Sequence, residues 1–293
     1  MEQGRPVFLV TGKNGQLGWE LQRLAENYPT IDWIFTDRSE LDLSSAESID
    51  AFFSNKQVDV VINAGAYTAV DKAETEQDLA FQINAAAVGQ LARICAKQSA
   101  RLITVSTDYV FHGQSDKPYL VDQPTDPINY YGYTKSVGEQ MALTEDPSSW
   151  IVRTSWVYSS HGHNFVKTML RLMKERTSIQ VVADQVGAPT YAADLAEALI
   201  KMGEASLIDK SKPGGIYHYS NAAHISWFNF AEAIRDYAGL NCEVNPIPSS
   251  SFPTPAKRPS YSVMDLKKIE DDFQITIKDW QERLKACMLE LGY

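Results

Sequence analysis

The sequence predicts an α/β protein: a doubly wound, mostly parallel sheet over the first half, followed by a smaller C-terminal region. Three observations predict it. The first is Val7–Gly18, VFLVTGKNGQLG, where a short apolar run meets glycines at positions 12, 15 and 18 and then leucines at helical spacing. The second is repetition. Apolar runs too short for helices alternate with longer segments of helical period up to about Ser155. Such β-α-β alternation specifies parallel strands with helices on both faces. The third is that this rhythm loosens afterwards, which puts the boundary there. Residues 1–155 form the sheet domain, and 156–293 form mainly the smaller region, with room for some segments to return to the sheet.

The elements follow in order. Val7-Phe8-Leu9-Val10 reads as a buried parallel strand. Leu17, Leu21 and Leu24 recur on one face of the helix after it. Trp33 to Phe35 is a second strand ending at Thr36-Asp37. Ser44 and Ser45 can cap a helix carrying Ile49, Phe52 and Phe53, with Glu47 placed for a capping box. Val58 to Ile62 is the third strand. Leu79 to Ala100 is helical, with Phe81, Ile83, Val88, Leu91 and Ile94 available for its apolar face. Leu102 to Val105 is the fourth strand, Tyr130 to Leu143 a helix and Trp150 to Val152 the fifth strand. Beyond the boundary, Asn164 to Lys174 and Asp194 to Met202 read as helices and Gly214 to Ser220 as a strand. Pro246 to Pro259 holds five prolines and reads as an ordered loop or a lid, not regular structure.

Composition bounds the function. A chain of 293 residues with a formal charge of −10 can bury a large core and is a poor non-specific ligand for nucleic acid or anionic membranes. No apolar run approaches the ~18 residues needed to span a bilayer, and the N-terminus lacks a signal-peptide pattern. Cys95, Cys242 and Cys287 are few, odd in number and far apart, which suggests neither a disulfide framework nor a zinc site and points to a reducing cytoplasm.

Strand, glycine turn and helix in that order are the context of a Rossmann-type dinucleotide site. Side chains at Gly12 or Gly15 would keep the backbone away from a pyrophosphate, Gly18 lets helix pack on strand, and the helix N-terminus offers free N–H groups to the phosphates. Asp37, ending the second strand, can accept from an adenosine ribose and favours NADH. Arg38 beside it can hold a 2′-phosphate and favours NADPH. The cofactor is therefore NADPH or NADH.

In a doubly wound sheet the ligand lies beyond the carboxyl ends of the strands, so chemistry is sought there. Tyr131 and Lys135 are four apart on a helix and share a face. An ammonium near the phenol favours phenolate and lowers the Tyr131 pKa from ~10, which suits it to proton exchange with a carbonyl. A surface pair is the alternative. Thr107 follows the fourth strand, where its hydroxyl would point into the crevice.

Four motifs in one order, TGxxGxxG, Asn63-Ala64-Gly65-Ala66, Thr107 and YxxxK, resemble the extended short-chain dehydrogenase/reductase superfamily. Further stretches, AYTAVDKAE, STDYVF, RTSWVY, FVKTMLRL, DQVGAPT and PTPAKRPSYS, resemble the dTDP-4-dehydrorhamnose reductase family from Val7 to about Leu284. The resemblance implies an NAD(P)H-dependent reduction of the C4 ketone of a dTDP-sugar. It implies that Thr107 hydrogen-bonds the substrate oxygen, Tyr131 exchanges the proton, and Lys135 binds the nicotinamide ribose and tunes Tyr131. Gly15, Gln16, Leu17, Asp42, Leu43 and Asn63 to Thr68, including Ala64, Ala66 and Tyr67, match cofactor contacts. Thr107, Asp108, Tyr131 and Trp156 match sugar contacts. An indole at Trp156 could cover a deoxysugar or pack in the core, and Asp108 could take sugar hydroxyls or cap a turn. Lys167 and Arg258 are the candidate cations for a diphosphate, Lys167 having a solvated helix face as its alternative.

Some members of this family form dimers bridged by magnesium through glutamates. Glu20 matches one of these, but Ala193 stands where the other should, with Asp194 next, which puts a magnesium bridge in doubt without excluding Mg2+, and monomer and homodimer both stay open. His161 and His163 form an HxH pair in a glycine-flanked loop, which is not expected to bind metal. Two other readings stand beside the reductase. A sugar-nucleotide 4,6-dehydratase or epimerase would keep NAD bound, but Tyr109 occupies the position of the dehydratase glutamate. A non-catalytic regulatory subunit is the third.

Overall fold

The computed structural model describes residues 4–293. The sheet domain runs β1 (Val7–Thr11), α1 (Gln16–Ala25), β2 (Asp32–Thr36), α2 (Ala46–Phe53), β3 (Val60–Asn63), α3 (Val70–Ala73), α4 (Gln77–Phe81), a π turn (Gln82–Ala86), α5 (Ala87–Gln98), β4 (Arg101–Thr107), α6 (Tyr130–Glu145) and β5 (Trp150–Thr154). Then come β6 (Val157–Tyr158), α7 (Phe165–Glu175), β7 (Ser178–Val182), β8 (Val186–Gly187), β9 (Thr190–Tyr191), α8 (Ala192–Ile208), β10 (Gly215–Tyr219), β11 (Ile225–Ser226), α9 (Trp227–Ala238), β12 (Glu243–Ile247), α10 (Lys267–Phe273) and α11 (Trp280–Glu290).

Six parallel strands form the main sheet in the order β10-β5-β4-β3-β1-β2. The chain leaves β1 toward β2 on one side and comes back to β3 on the other. That reversal opens a crevice between the ends of β1 and β3, where ligands of such sheets bind. Strand pleating explains the two cores. Phe8 and Val10 point to one face, with Leu195 and Leu199 of α8, while Leu9 and Val61 point to the other, with Val88 and Leu91 of α5.

The C-terminal region does return to the sheet. β10 extends it beyond β5, Gly215 opposite Trp150, and α8 packs on α1. The rest forms a separate core of Met169, Phe230, Trp280 and Leu284 under β7 and β12. Three expectations need correction. Leu79–Ala100 is not one regular helix: the π turn interrupts it and turns Asn84 inward, where it holds the Tyr67 backbone at 2.9 and 3.0 Å and donates to Thr134 on α6. Pro246 lies in regular structure after all, in β12 opposite Val181. The two-stranded β7–β12 pair has an outer edge, and an edge strand tolerates a missing N–H. Ser45 caps α2 through Ser48 N–H, while Glu47 bonds the Ser45 hydroxyl rather than completing a capping box. Among the described residues no helix is long and apolar enough to cross a membrane.

Candidate functional site

A cavity of about 690 Å³ opens at the β1/β3 switch point and runs across the ends of β4 and β5 to the C-terminal region. Its floor is the glycine turn. Gly12 has φ +73°, and a Cβ there would sit 2.8 Å from Gly65, so the turns after β1 and β3 touch backbone to backbone. A Cβ at Gly18 would lie 2.2 Å from the Gly12 carbonyl oxygen. Gly15 caps α1 without a side-chain bond and no acid occupies the first turn, so the helix presents unneutralised N–H dipoles to the cavity. Gln16 links the two regions, accepting from Asn164 at 2.8 Å and donating to the Val157 carbonyl at 3.4 Å.

Gly12, Gly15, Gln16, Leu17, Asn63, Ala64, Ala66 and Thr68 all line the cavity. Asn63 is also a strand tie, accepting from Thr11 at 2.6 Å and donating to Thr104 at 3.0 Å. Gly18, Asp42, Leu43 and Tyr67 do not line it. Leu43 is core packed under Gly65, Asp42 accepts from Ser44, and the Tyr67 hydroxyl is pushed up to about 12 by burial and by donation to Glu76. Asp37 and Arg38 lie off the cavity's rim. Hydrogen bonds from Ser39 above all, helped by Asn14, hold the Asp37 carboxyl down to about 2. Lys13, which no sequence motif singles out, sits 3.5 Å from Asp37 and 2.6 Å from Glu40, and Arg38 faces Asp42 at 3.3 Å. The acceptor and the two cations are thus neighbours.

At the sheet's mouth Thr107, Tyr131 and Lys135 line one stretch of wall. Asn129 caps α6 through Gly132 N–H and so fixes the turn that carries Tyr131. Tyr131 keeps an edge open, but burial pushes its hydroxyl up to about 12; a hydrogen bond with Thr107 pulls the other way. Lys135 is not among the groups acting on that hydroxyl. Its Nζ donates instead to the Val105 carbonyl at 2.7 Å. The expected acidification of the phenol by the ammonium is corrected: burial outweighs it and the ammonium points at β4. Burial also lowers the Lys135 pKa to about 8, against the pull of Glu139.

Asp108 is buried, with Oδ2 lacking a partner and Oδ1 accepting from Thr107 at 3.0 Å. Burial raises its pKa to about 6. Trp156 has φ +48°, an uncommon backbone state for a bulky residue. Its ring stacks on Trp227 at 3.4 Å and 9° and blocks any side chain at Gly187. One indole face is therefore occupied by Trp227, which also lines the cavity and which the sequence reading missed. Helical spacing in α9 marks Trp227 only as an apolar residue. The two expected cations do not line the cavity. Arg258 is taken by Asp71 through two bonds of 2.8 Å and by the Ala256 carbonyl, and Lys167 donates to the Ser160 carbonyl at 3.1 Å.

Glu20 is fully buried and held by Arg23 and Ser159, while Asp194 is held by Lys278 and Asn221. His161 stacks on Trp19, with Nε2 at 3.1 Å from the Asn14 carbonyl oxygen. The described residues hold no group of three potential metal ligands among His, Cys, Asp and Glu.

The sequence profile described as RmlD substrate binding domain matches residues 7–292. A protein of Aggregatibacter actinomycetemcomitans named dTDP-4-dehydrorhamnose reductase is 40% identical over 95% of this chain and 97% of its own length. The chain belongs to the dTDP-4-dehydrorhamnose reductase family. The dTDP-4-dehydrorhamnose reductase of Bacillus anthracis, solved in complex with NADP, superposes with a TM-score of 0.92 at 38% identity, covering 98% of this chain and 99% of that one. The UDP-glucose 4-epimerase of Thermus thermophilus, solved with NAD, shares the fold at a TM-score of 0.79 and 19% identity, over 98% and 99% of the two chains.

Proposed function

We propose that this protein reduces the C4 ketone of dTDP-4-dehydro-6-deoxy-L-mannose to dTDP-L-rhamnose, a precursor of bacterial surface polysaccharide, with NADPH or NADH. The observation that carries the reading is one cavity joining a helix N-terminus with no side-chain cap and no acid in its first turn to a Thr–Tyr–Lys wall. The residues fit a dinucleotide: the glycine turn leaves room for a pyrophosphate at α1, and Lys13, Asp37 and Arg38 supply an acceptor and two cations of the kind an adenosine ribose or its 2′-phosphate takes. When bound, the reduced nicotinamide supplies the hydride.

The chain's own groups do the rest. Thr107 and Tyr131 donate hydrogen bonds where charge develops on the ketone oxygen, and donors fixed in advance stabilise that charge more than water does. Because burial holds the Tyr131 proton firmly at neutral pH, the residue enters as an acid and gives that proton to the oxygen. Lys135, anchored on the Val105 carbonyl, would hold the nicotinamide ribose. Trp156 and Trp227 wall the sugar's apolar side. The three free, buried cysteines support a cytoplasmic setting. The test is oxidation of NADPH and NADH by dTDP-4-dehydrorhamnose, with and without magnesium. Turnover without added metal is expected; absence of turnover with either nucleotide defeats the proposal.

Asp108 adds a pH dependence. With its pKa raised to about 6, the folded state holds the proton more tightly than the unfolded chain. Charging it therefore costs stability, which is fully present only at low pH and is lost as pH rises through about 6. Asp108→Asn is expected to raise the melting temperature at pH 7.5 by at least about 2 °C, with the gain vanishing near pH 4. The substrate KM should rise, because the open Oδ2 acceptor is lost. A variant with neither change removes Asp108 from the site.

A further inference from the structure

Behind the catalytic wall lies a buried charged cluster that the reaction as described does not use. Glu139 is 4% exposed, Arg153 1% and His218 0%. Glu139 lies four residues beyond Lys135 and eight beyond Tyr131, so all three share one side of α6. Its Oε2 accepts from Arg153 Nη2 at 2.6 Å, and its Oε1 accepts from Arg153 Nε at 2.9 Å and from the Ser106 hydroxyl. Ser106 and Arg153 are register partners on β4 and β5, one residue before Thr107 and Thr154. One carboxylate therefore ties the catalytic helix to both strands whose ends line the cavity. Arg153 is held in turn, its guanidinium over Phe111 and Nη1 3.4 Å from His218 Nε2. Burial and the Arg153 charge hold His218 down to about 3, so it is neutral. Its Nδ1–H then donates to the Asp265 carbonyl at 3.1 Å and Nε2 accepts from Arg153.

We propose that Glu139 is a positioning residue for the reaction: clamped by Arg153 and Ser106, it fixes the face of α6 bearing Tyr131 and Lys135 against the strand ends bearing Thr107, and gives the Lys135 ammonium its compensating negative charge. This rests on the reading that Lys135 works at the cofactor ribose. A buried ion pair is no aid to stability by itself, since desolvation offsets the attraction. Its place here is better explained by what it holds.

The charged and titratable groups facing this part of α6 are few. Asp108, Tyr109 and Tyr131 stand at the mouth, and Arg153 of β5 and its register partner His218 of β10 lie on the sheet itself. The π turn packed on the helix carries no ionisable side chain, α4 turns Asp78 and α5 turns Arg93 and Lys97 to solvent, and the Cys95 thiol of α5 is buried, which pushes its pKa up and keeps it neutral. On the α3 side Glu74 is engaged by Tyr130 N–H and Asp71 by Arg258. Among these groups only Glu139 acts on Lys135, and it holds the proton there against burial.

The experiment measures the NADPH dissociation constant by fluorescence titration from pH 6 to pH 9, for the native protein, Glu139→Gln, and the double variant Glu139→Leu with Arg153→Met. The double variant removes both charges together, so it leaves no unpaired buried ion if the single variant fails to fold. Removing the carboxylate lets Lys135 deprotonate sooner. The pH above which NADPH affinity falls should move down by about one unit, with affinity recovering toward the native value at pH 6. A folded double variant whose profile overlays the native one overturns the proposal. Lys135→Met, run in parallel, separates the two readings. If it binds NADPH as the native protein does at every pH, the role of Lys135 fails; if it does not, the Glu139 profile stands on its own.

Discussion

Tyr131→Phe is expected to lower kcat by on the order of 10²–10⁴ while leaving the fold and NADPH affinity close to native. The reasoning is local. The hydroxyl is pushed up to about 12, so at neutral pH it is almost wholly protonated, and a proton so held is available when the ketone oxygen becomes basic. Phenylalanine keeps the ring and its edge contact with Tyr109, at a centroid distance of 5.8 Å. It loses only the donor and the hydrogen bond with Thr107. Because that bond matters most when charge appears on the oxygen, the loss should fall on kcat and kcat/KM together, not on KM. Steady-state rates with dTDP-4-dehydrorhamnose give the answer. Turnover within tenfold of native would mean that Thr107, or a water it holds, delivers the proton and that Tyr131 only shapes the wall.

Much of this site could be read before the fold was known, because its parts depend on local rules. A glycine turn between strand and helix leaves a signature in a dozen residues, and helical spacing puts Tyr131 and Lys135 on one face, while their roles come from the family resemblance. What resisted reading depends on depth and on distant partners. That burial governs the Tyr131 hydroxyl while the Lys135 ammonium turns to the Val105 carbonyl depends on depth in the fold, which spacing does not encode. Arg258 looks free between prolines, yet Asp71, far away in sequence, takes both of its outer nitrogens. Trp227 becomes a wall only because β8 and β11 pair and bring the start of α9 against Trp156. Glu139 gives no signal in a helix of mixed polarity; its meaning comes from β4 and β5 lying side by side. Pro246 misleads in the opposite sense, since a proline cluster reads as loop unless an edge strand can take one.

The glycines allow the cofactor half of the site to be tested separately from its packing. At Gly18 an added Cβ would press on backbone that cannot swing away: the Gly12 carbonyl oxygen at 2.2 Å, Lys13 Cα at 2.7 Å and the Gly12 carbonyl carbon at 2.8 Å. Gly18→Ala must therefore push α1 off the turn. It is expected to cost about 3 kcal/mol of stability, a fall of ~6–12 °C in melting temperature, and to weaken NADPH at least tenfold. At Gly15 the situation differs. Its backbone is extended, with φ −76°, and a Cβ would meet only the Gly12 carbonyl oxygen at 3.4 Å, an ordinary contact. Gly15→Ala should melt as the native protein does and still bind NADPH at least tenfold more weakly, because the methyl would stand where the pyrophosphate approaches the first turn of α1. Calorimetry beside NADPH titration distinguishes the two. If both variants lost stability, the turn would be a packing device and no more. If Gly15→Ala bound NADPH at native strength, the phosphates would have to sit elsewhere, and the N-terminus of α1 would lose its part in the site.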